Sequence, residues 1–331
     1  MQNLLDPAIL FFVFGVLAGA LRSNLEIPKS IAKFLSLYLL MALGLKGGFA
    51  LAHTGLTASV ALSLLAAIAM AFLVPALGYA FLKTRVSHFD AAAVAAAYGS
   101  VSAVTFVTAS QYLDAQGLAP GGHMAVALVL MESPAIIMAV LLANAIRRRE
   151  GTAVLSGAAR SVGAAAAPLS VGKILHESFT DGAHLLLLGS LAVGFLSGEA
   201  GKSMMQPFAG DLFKGMLAFF LLDMGLMVAR NFHEARKASP ALLGYAAAGP
   251  LLHAGIALCL SWLLGLTVAD TALLMVLSAS ASYIVVPAVL RYAVPEANPA
   301  LYFGLSLGIT FPLNILIGIP LYTGLAQRVI G

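Results

Sequence analysis

Ten apolar stretches follow one another along the chain, over about residues 7–21, 30–52, 57–82, 90–112, 121–145, 182–198, 207–229, 239–265, 267–292 and 299–327. A helix rises ~1.5 Å per residue, so roughly 20 apolar residues cross the ~30 Å hydrocarbon core of a bilayer. Only 10% of the residues are charged and 61% are hydrophobic, whereas a soluble domain carries about 25% charged residues to solvate its surface. The solvent for most of this chain is therefore lipid, and the predicted fold class is an all-α integral membrane protein of ten transmembrane helices. Pro7–Leu21 has no basic residue before it and Arg22 directly after it. That polarity is wrong for a cleaved signal peptide, so the stretch is read as the first transmembrane helix. The single cysteine, Cys259, excludes an intrachain disulfide.

Net charge is +4 and the pI is near 9.2, but the basic residues are dispersed at span ends, which makes them topology signals rather than a nucleic-acid surface. Arg147, Arg148, Arg149, Arg160 and Lys173 cluster in the linker 146–181. With that linker cytoplasmic, 14 basic residues fall on its side and Lys46, Lys202, Lys214 and Arg328 on the other. Both termini then face outward across a cell membrane, inner or plasma. The expected organisation is a first five-helix repeat at 1–145, a cytoplasmic linker at 146–181 and a second five-helix repeat at 182–331.

The two halves echo each other. Leu43-Gly44-Leu45-Lys46 corresponds to Met224-Gly225-Leu226-Met227, Pro75 to Pro250, the Ser100 run to the Ser280 run, and Glu132-Ser133-Pro134 to Thr310-Phe311-Pro312, at offsets of 181, 175, 180 and 178. Five helices per half make the two repeats inverted in the membrane, an arrangement suited to alternating access around a midplane site.

Two small-residue runs, Tyr98-Gly99-Ser100-Val101-Ser102-Ala103-Val104-Thr105 and Ser278-Ala279-Ser280-Ala281-Ser282-Tyr283-Ile284-Val285, interrupt the fourth and ninth spans. Hydroxyls in hydrocarbon must find partners, so paired runs of this kind point to discontinuous helices 4 and 9. The half-helix N-termini of such helices hold an anion, while freed carbonyls and hydroxyls hold a cation. Ordinary helix packing by small residues is the competing reading. Pro287 suits the first turn of a half-helix restarting near Ser282. Gly99 permits unwound backbone, and Ser102 or Thr105 can cap the restart in the first run. The candidate anion contacts are Gly99, Ser100, Val101, Ser102, Ala103, Ser280, Ala281, Ser282 and Tyr283.

Glu132, mid-span before Ser133-Pro134, costs about 2.5–3.5 kcal/mol to insert, which marks it as functional or as a helix-bridging structural group. Asn314 beside Pro312 can supply an amide oxygen or act as polar packing glue. Lys46 reads as an interfacial residue that snorkels. His53, His123, His184 and His253 are isolated, without metal-ligand spacing. No His-Glu-x-x-His, Gly-x-Ser-x-Gly or phosphate-loop motif occurs, and Asp223 has no partner aspartate. The chain is therefore read as a non-enzyme.

The C-terminal stretches Pro295-Glu296-Ala297-Asn298-Pro299-Ala300-Leu301-Tyr302 and Gly318-Ile319-Pro320-Leu321-Tyr322-Thr323-Gly324-Leu325-Ala326-Gln327, with Leu43-Gly44-Leu45-Lys46-Gly47-Gly48 and Glu132-Ser133-Pro134-Ala135, resemble the sodium-dependent bicarbonate transporter family, the SbtA-like permeases, over essentially the whole chain. Tyr283 stands where the cyanobacterial second motif has an aspartate, and Val104 where the first has a serine. The resemblance implies a core domain moving against a gate domain, sodium-coupled bicarbonate uptake, homotrimers, and in some members a small cytoplasmic nitrogen-regulatory-type signalling protein as partner. Sodium is the one ion implied and no cofactor is expected; Ser102, Thr105, Glu132, Ser278 and Asn314 are the candidate sodium ligands. The expected function is secondary active symport of a small anion. The alternatives are transport of another small carboxylate or anion with different or no ion coupling, a channel or facilitator, and a membrane sensor.

Overall fold

The computed structural model describes residues 6–55, 57–155 and 182–331, all in helices and their connections, with no strand among them. The helices are α1 (Pro7–Ala20), α2 (Lys29–Thr54), α3 (Ala58–Leu82), α4 (His88–Gly99), α5 (Ala103–Ala115), α6 (Met124–Leu155), α7 (Gly182–Met205), α8 (Phe213–Ala235), α9 (Pro240–Leu264), α10 (Val268–Ala279), α11 (Val285–Ala293) and α12 (Pro299–Val329). Two π-helical turns, Ser306–Thr310 and Asn314–Gly318, run within α12. Helix starts follow the sequence closely. Asp6, Thr57, Ser87, Ser102, Ser239, Thr267 and Asn298 each accept a backbone N–H at an N-cap. Pro7, Pro240 and Pro299 directly follow three of these caps, where a missing N–H costs nothing.

Seven helical segments among the described residues are long and apolar enough to cross a membrane, which makes this a multi-pass membrane protein. One of the seven, Gly182–Phe232, runs for 51 residues. It turns at Gly198, whose φ of 55° and ψ of −145° lie outside the helical region, and passes through a π-helical stretch at Gln206–Asp211 before α8. At the other end of the first half, α6 continues to Leu155. The first ten residues of the expected linker are thus helical, because nothing between Ile146 and Leu155 breaks a helix until past Gly151; residues 156–181, with Arg160 and Lys173, lie outside the described residues.

α1 packs along α8, and α2 along α7. Both seams are built from small residues four apart, which let backbones approach closely. Gly15 and Gly19 of α1 face Leu222, Gly225, Leu226 and Ala229 of α8, and Gly44 and Gly48 of α2 face Leu187, Ser190, Leu191 and Gly194 of α7. A Cβ on Gly44 would lie 2.5 Å from the Leu187 carbonyl oxygen. The seam positions recur at fixed offsets: Gly15 and Gly19 precede Ser190 and Gly194 by 175, and Gly44 and Gly48 precede Gly225 and Ala229 by 181.

α3, α4 and α6 pack together, as do α9 and α10 with the end of α12, and α9 touches α3. Two capping boxes tie these groups to each other. Ser87 and Asp90 cap α4, and Asp90 Oδ1 accepts the Asn298 N–H at the start of α12, 2.7 Å away. Thr267 and Asp270 cap α10, and Asp270 Oδ1 accepts the Gly121 N–H before α6, 2.8 Å away. Each cap thereby also fixes the chain leading into a helix of the opposite half. Arg147 near the end of α6 forms a fork with both Glu296 carboxylate oxygens, each 2.7 Å away, and also donates to the Ala293 carbonyl.

Two expectations follow. Gly44→Leu should open the α2–α7 seam and destabilise the protein by at least about 1–3 kcal/mol, read as a fall in melting temperature in detergent; an unchanged melt would contradict the seam. The Arg147 hydrogen bonds hold the Glu296 carboxyl below its ordinary value of 4.5. A depressed carboxylate stabilises above its unfolded pKa and loses that contribution as pH falls through the folded value. The melting difference between the native protein and Glu296→Gln should therefore be largest near pH 7 and shrink below about pH 4.5.

Candidate functional site

The first small-residue run stops α4 at Gly99, and Ser100 is already extended, with ψ 179°. Gly99 itself is needed for contact rather than for unwinding, since its φ is not positive and a Cβ there would lie 2.6 Å from the Pro75 ring. Ser102 begins α5 as its N-cap, its Oγ accepting the Thr105 N–H at 3.2 Å. The second run stops α10 at Ala279, and α11 resumes at Val285, three residues later than the expected restart near Ser282. Ser282 still caps that restart, its Oγ accepting the Val286 N–H at 3.3 Å, and Pro287 falls in the first turn.

The two breaks are pinned to each other. The Ser282 N–H donates to the Ala97 carbonyl at 2.8 Å, and the Ser102 N–H to Ser280 Oγ at 3.0 Å. Ser280 in turn donates to the Leu277 carbonyl. The carbonyl of Ala279 receives the Asn314 side-chain amide at 2.8 Å, and the Asn314 oxygen accepts from the Tyr322 hydroxyl. Asn314 thus closes the end of α10. Tyr283 lies with its hydroxyl 3.5 Å from Ser102 Oγ and its ring edge-on to Phe311.

A cavity of about 80 Å³ opens where α5 and α11 begin. Val101, Ser102, Ala103, Ser282, Tyr283 and Glu132 are on its wall, together with residues of α2 and α7. Gly99, Ser100, Ser280 and Ala281 are buried in the crossing but do not line it. Thr105, Ser278 and Asn314 also lie off the cavity, each about 1% exposed or less. Among the described residues, Ser100 Oγ, Thr105 Oγ1 and Ser278 Oγ have no hydrogen-bond partner. The structure therefore divides the expected cation set: Ser102 and Glu132 line the cavity, while Thr105, Ser278 and Asn314 lie off it.

His184 belongs to the site, although its sequence surroundings mark it as isolated. From the start of α7 its Nε2 meets Glu132 Oε2, with both side chains about 6% exposed. A carboxylate accepts from the imidazole tautomer that carries its hydrogen on Nε2. The 52 residues between the two hide the pairing; the one signal available was two ionisable residues within apolar spans, each needing a partner. His123 likewise approaches a carboxylate, that of Asp270, at 3.8 Å. Lys46 pairs with Asp114 at 3.4 Å and lies over the Phe213 ring. Both line a larger cavity of about 280 Å³, with Glu199 and Lys202 at its rim. We place the site in the smaller cavity because both helix breaks converge there.

Half-helices pinned at their breaks, in a polytopic helical protein with a small cavity at the crossing, are a feature of membrane transporters. The chain belongs to the Na+-dependent bicarbonate transporter superfamily, whose family model matches residues 7–327. No curated protein matches it by sequence.

Ser280→Ala should leave the Ser102 amide buried without an acceptor, costing about 1–3 kcal/mol and loosening the crossing. Thermal melts in detergent should show this loss, with Ser280→Thr retaining most of the stability; equal stability of both variants would show that the Ser280 hydroxyl does not hold the breaks together.

Proposed function

We propose that the protein is a secondary active symporter that moves bicarbonate together with sodium by alternating access. The observation that carries this reading is the cavity of about 80 Å³ at the start of both half-helices. A water needs about 10–15 Å³ of such space, so the cavity has room for a small anion. The amides at the starts of α5 and α11, with the hydroxyls of Ser102 and Ser282, offer such an anion positive dipole ends and donors. The partnerless hydroxyls of Ser100, Thr105 and Ser278 are hard oxygen donors suited to sodium. Glu132 is left out of this cation set because His184 engages it, and Asn314 because both ends of its amide are used.

Ten crossings in two inverted repeats are the topology that best accounts for the packing. At ~1.5 Å per residue, the 51 residues of Gly182–Phe232 are about twice the bilayer's thickness and supply two crossings. α1 and the α10–α11 pair add the remaining two to the other six long segments. The matched seams of α1 on α8 and α2 on α7, with the exchanged caps at Asp90 and Asp270, support the duplication. On this reading α1, α2, α7 and α8 form the gate, and the remaining helices form a core that carries the anion by an elevator-like or rocking motion. The resemblance adds a homotrimer in the inner membrane with termini outside, and a nitrogen-regulatory-type partner for the cytoplasmic linker.

Uptake of labelled bicarbonate into proteoliposomes tests this. An inward sodium gradient should drive accumulation, and Ser102→Ala combined with Ser282→Ala should abolish it. Uptake that merely equilibrates would identify a facilitator, and uptake unchanged in the double variant would remove the anion from this site.

A further inference from the structure

A carboxylate on the wall of an anion cavity calls for an explanation. Glu132 lines the same cavity as Ser102 and Ser282, about 5% exposed, with Oε2 held by His184. Its Oε1 has no donor among the described residues. The counterpart of Glu132 in the second half, Thr310, is instead consumed inside the core, between the Tyr98 hydroxyl at 2.6 Å and the Ala246 carbonyl at 2.8 Å. The two halves therefore differ at this position in one respect that bears on the ligand: the first half presents an acceptor to the cavity.

With Oε2 taken by His184, Oε1 of a carboxylate can only accept a hydrogen bond. An anion that brings an O–H meets this oxygen with a charge-assisted hydrogen bond. An anion without a hydrogen meets it with lone pairs on both sides. We infer that Glu132, positioned by His184, makes this a site for small monoanions that donate a hydrogen bond, and that it rejects anions of the same size and charge that cannot. The inference rests on the anion site assigned above and specifies its substrate class. A site built to hydrogen-bond a substrate hydroxyl discriminates strongly against the analogue that lacks it, because the site's own polar group is then left unpaired.

Nitrate is the informative probe: planar, singly charged and four heavy atoms in size, like hydrogencarbonate, but without a hydrogen. Binding is measured on the full-length protein in detergent, as the thermal shift and as a calorimetric titration with bicarbonate, nitrate or formate in mildly alkaline buffer. Bicarbonate should bind at least about tenfold more tightly than nitrate or formate. In Glu132→Gln the amide can turn its carbonyl to His184 and its NH2 to the cavity, so nitrate binding should improve and the preference should fall about tenfold. Nitrate competing on equal terms with the native protein would overturn the inference while leaving anion transport intact. An unchanged preference in Glu132→Gln would also overturn it. Should that variant not fold, the native protein's preference decides alone. Selective binding without any sodium-driven uptake would uphold the inference and sink coupled symport instead.

Discussion

A helix interrupted in an apolar interior leaves backbone N–H and C=O groups that no water satisfies, at a cost of several kcal/mol for each group left bare. The structure answers this with reciprocity. The freed amide of Ser282 is taken by the carbonyl of Ala97 from the other half, and the freed amide of Ser102 by the hydroxyl of Ser280. Each break satisfies part of its own backbone and leaves one amide, that of Ser102 or Ser282, to the other. This explains why the small-residue runs come as a pair, and why a serine recurs at each turn. Ser102 and Ser282 cap the restarting helices while Ser280 bridges between the chains. Asn314 completes the arrangement by donating to the Ala279 carbonyl at the end of α10.

Around that crossing the packing is of two kinds. The α1–α8 and α2–α7 seams are backbone against small residue, with no room for adjustment at Gly44 or Gly225. Between α2 or α7 and α5 or α6 the contacts include two side-chain pairs, Lys46 with Asp114 and His184 with Glu132, beside a close backbone approach of Gly47 to Gly122. Close backbone seams resist sliding because every small-residue contact is lost together, whereas isolated side-chain pairs can part and re-form. On the proposed function, a boundary between moving bodies would follow these side-chain pairs, and the cavity is lined by one of them, His184 and Glu132.

Much of this was legible in the sequence, for definite reasons. Span length and charge depletion reflect the bilayer directly, and the Ser-rich runs reflect the price of broken helices. Other features escaped because their cause is not local. Gly99 invites a backbone explanation, yet it is small because Pro75, in another helix, lies against it. The pairing of His184 with Glu132 depends on how α7 docks beside α6, which no periodicity encodes. The exchanged caps stood closer to the surface of the sequence: Ser87-x-x-Asp90 and Thr267-x-x-Asp270 are capping boxes 180 positions apart. What a capping box does not disclose is that its carboxylate has a second oxygen to give to Asn298 or Gly121.

The replacement of a carboxylate by Tyr283 is best understood with Glu132. A carboxylate at the break would place negative charge beside the half-helix N-termini and next to the cation hydroxyls. Here the break carries a phenol packed against Phe311, with its hydroxyl between Ser102 and the Met224 sulfur. The carboxylate lining this cavity is that of Glu132 on α6, partnered by the His184 imidazole. On the proposed function, a cation near the break would meet hydroxyl dipoles and no full charge from Tyr283, which leaves little to offset its dehydration. An anion in the cavity would meet the two half-helix starts with Glu132 as the one carboxylate on the lining, so discrimination among anions would rest on the fit between the two breaks and Glu132.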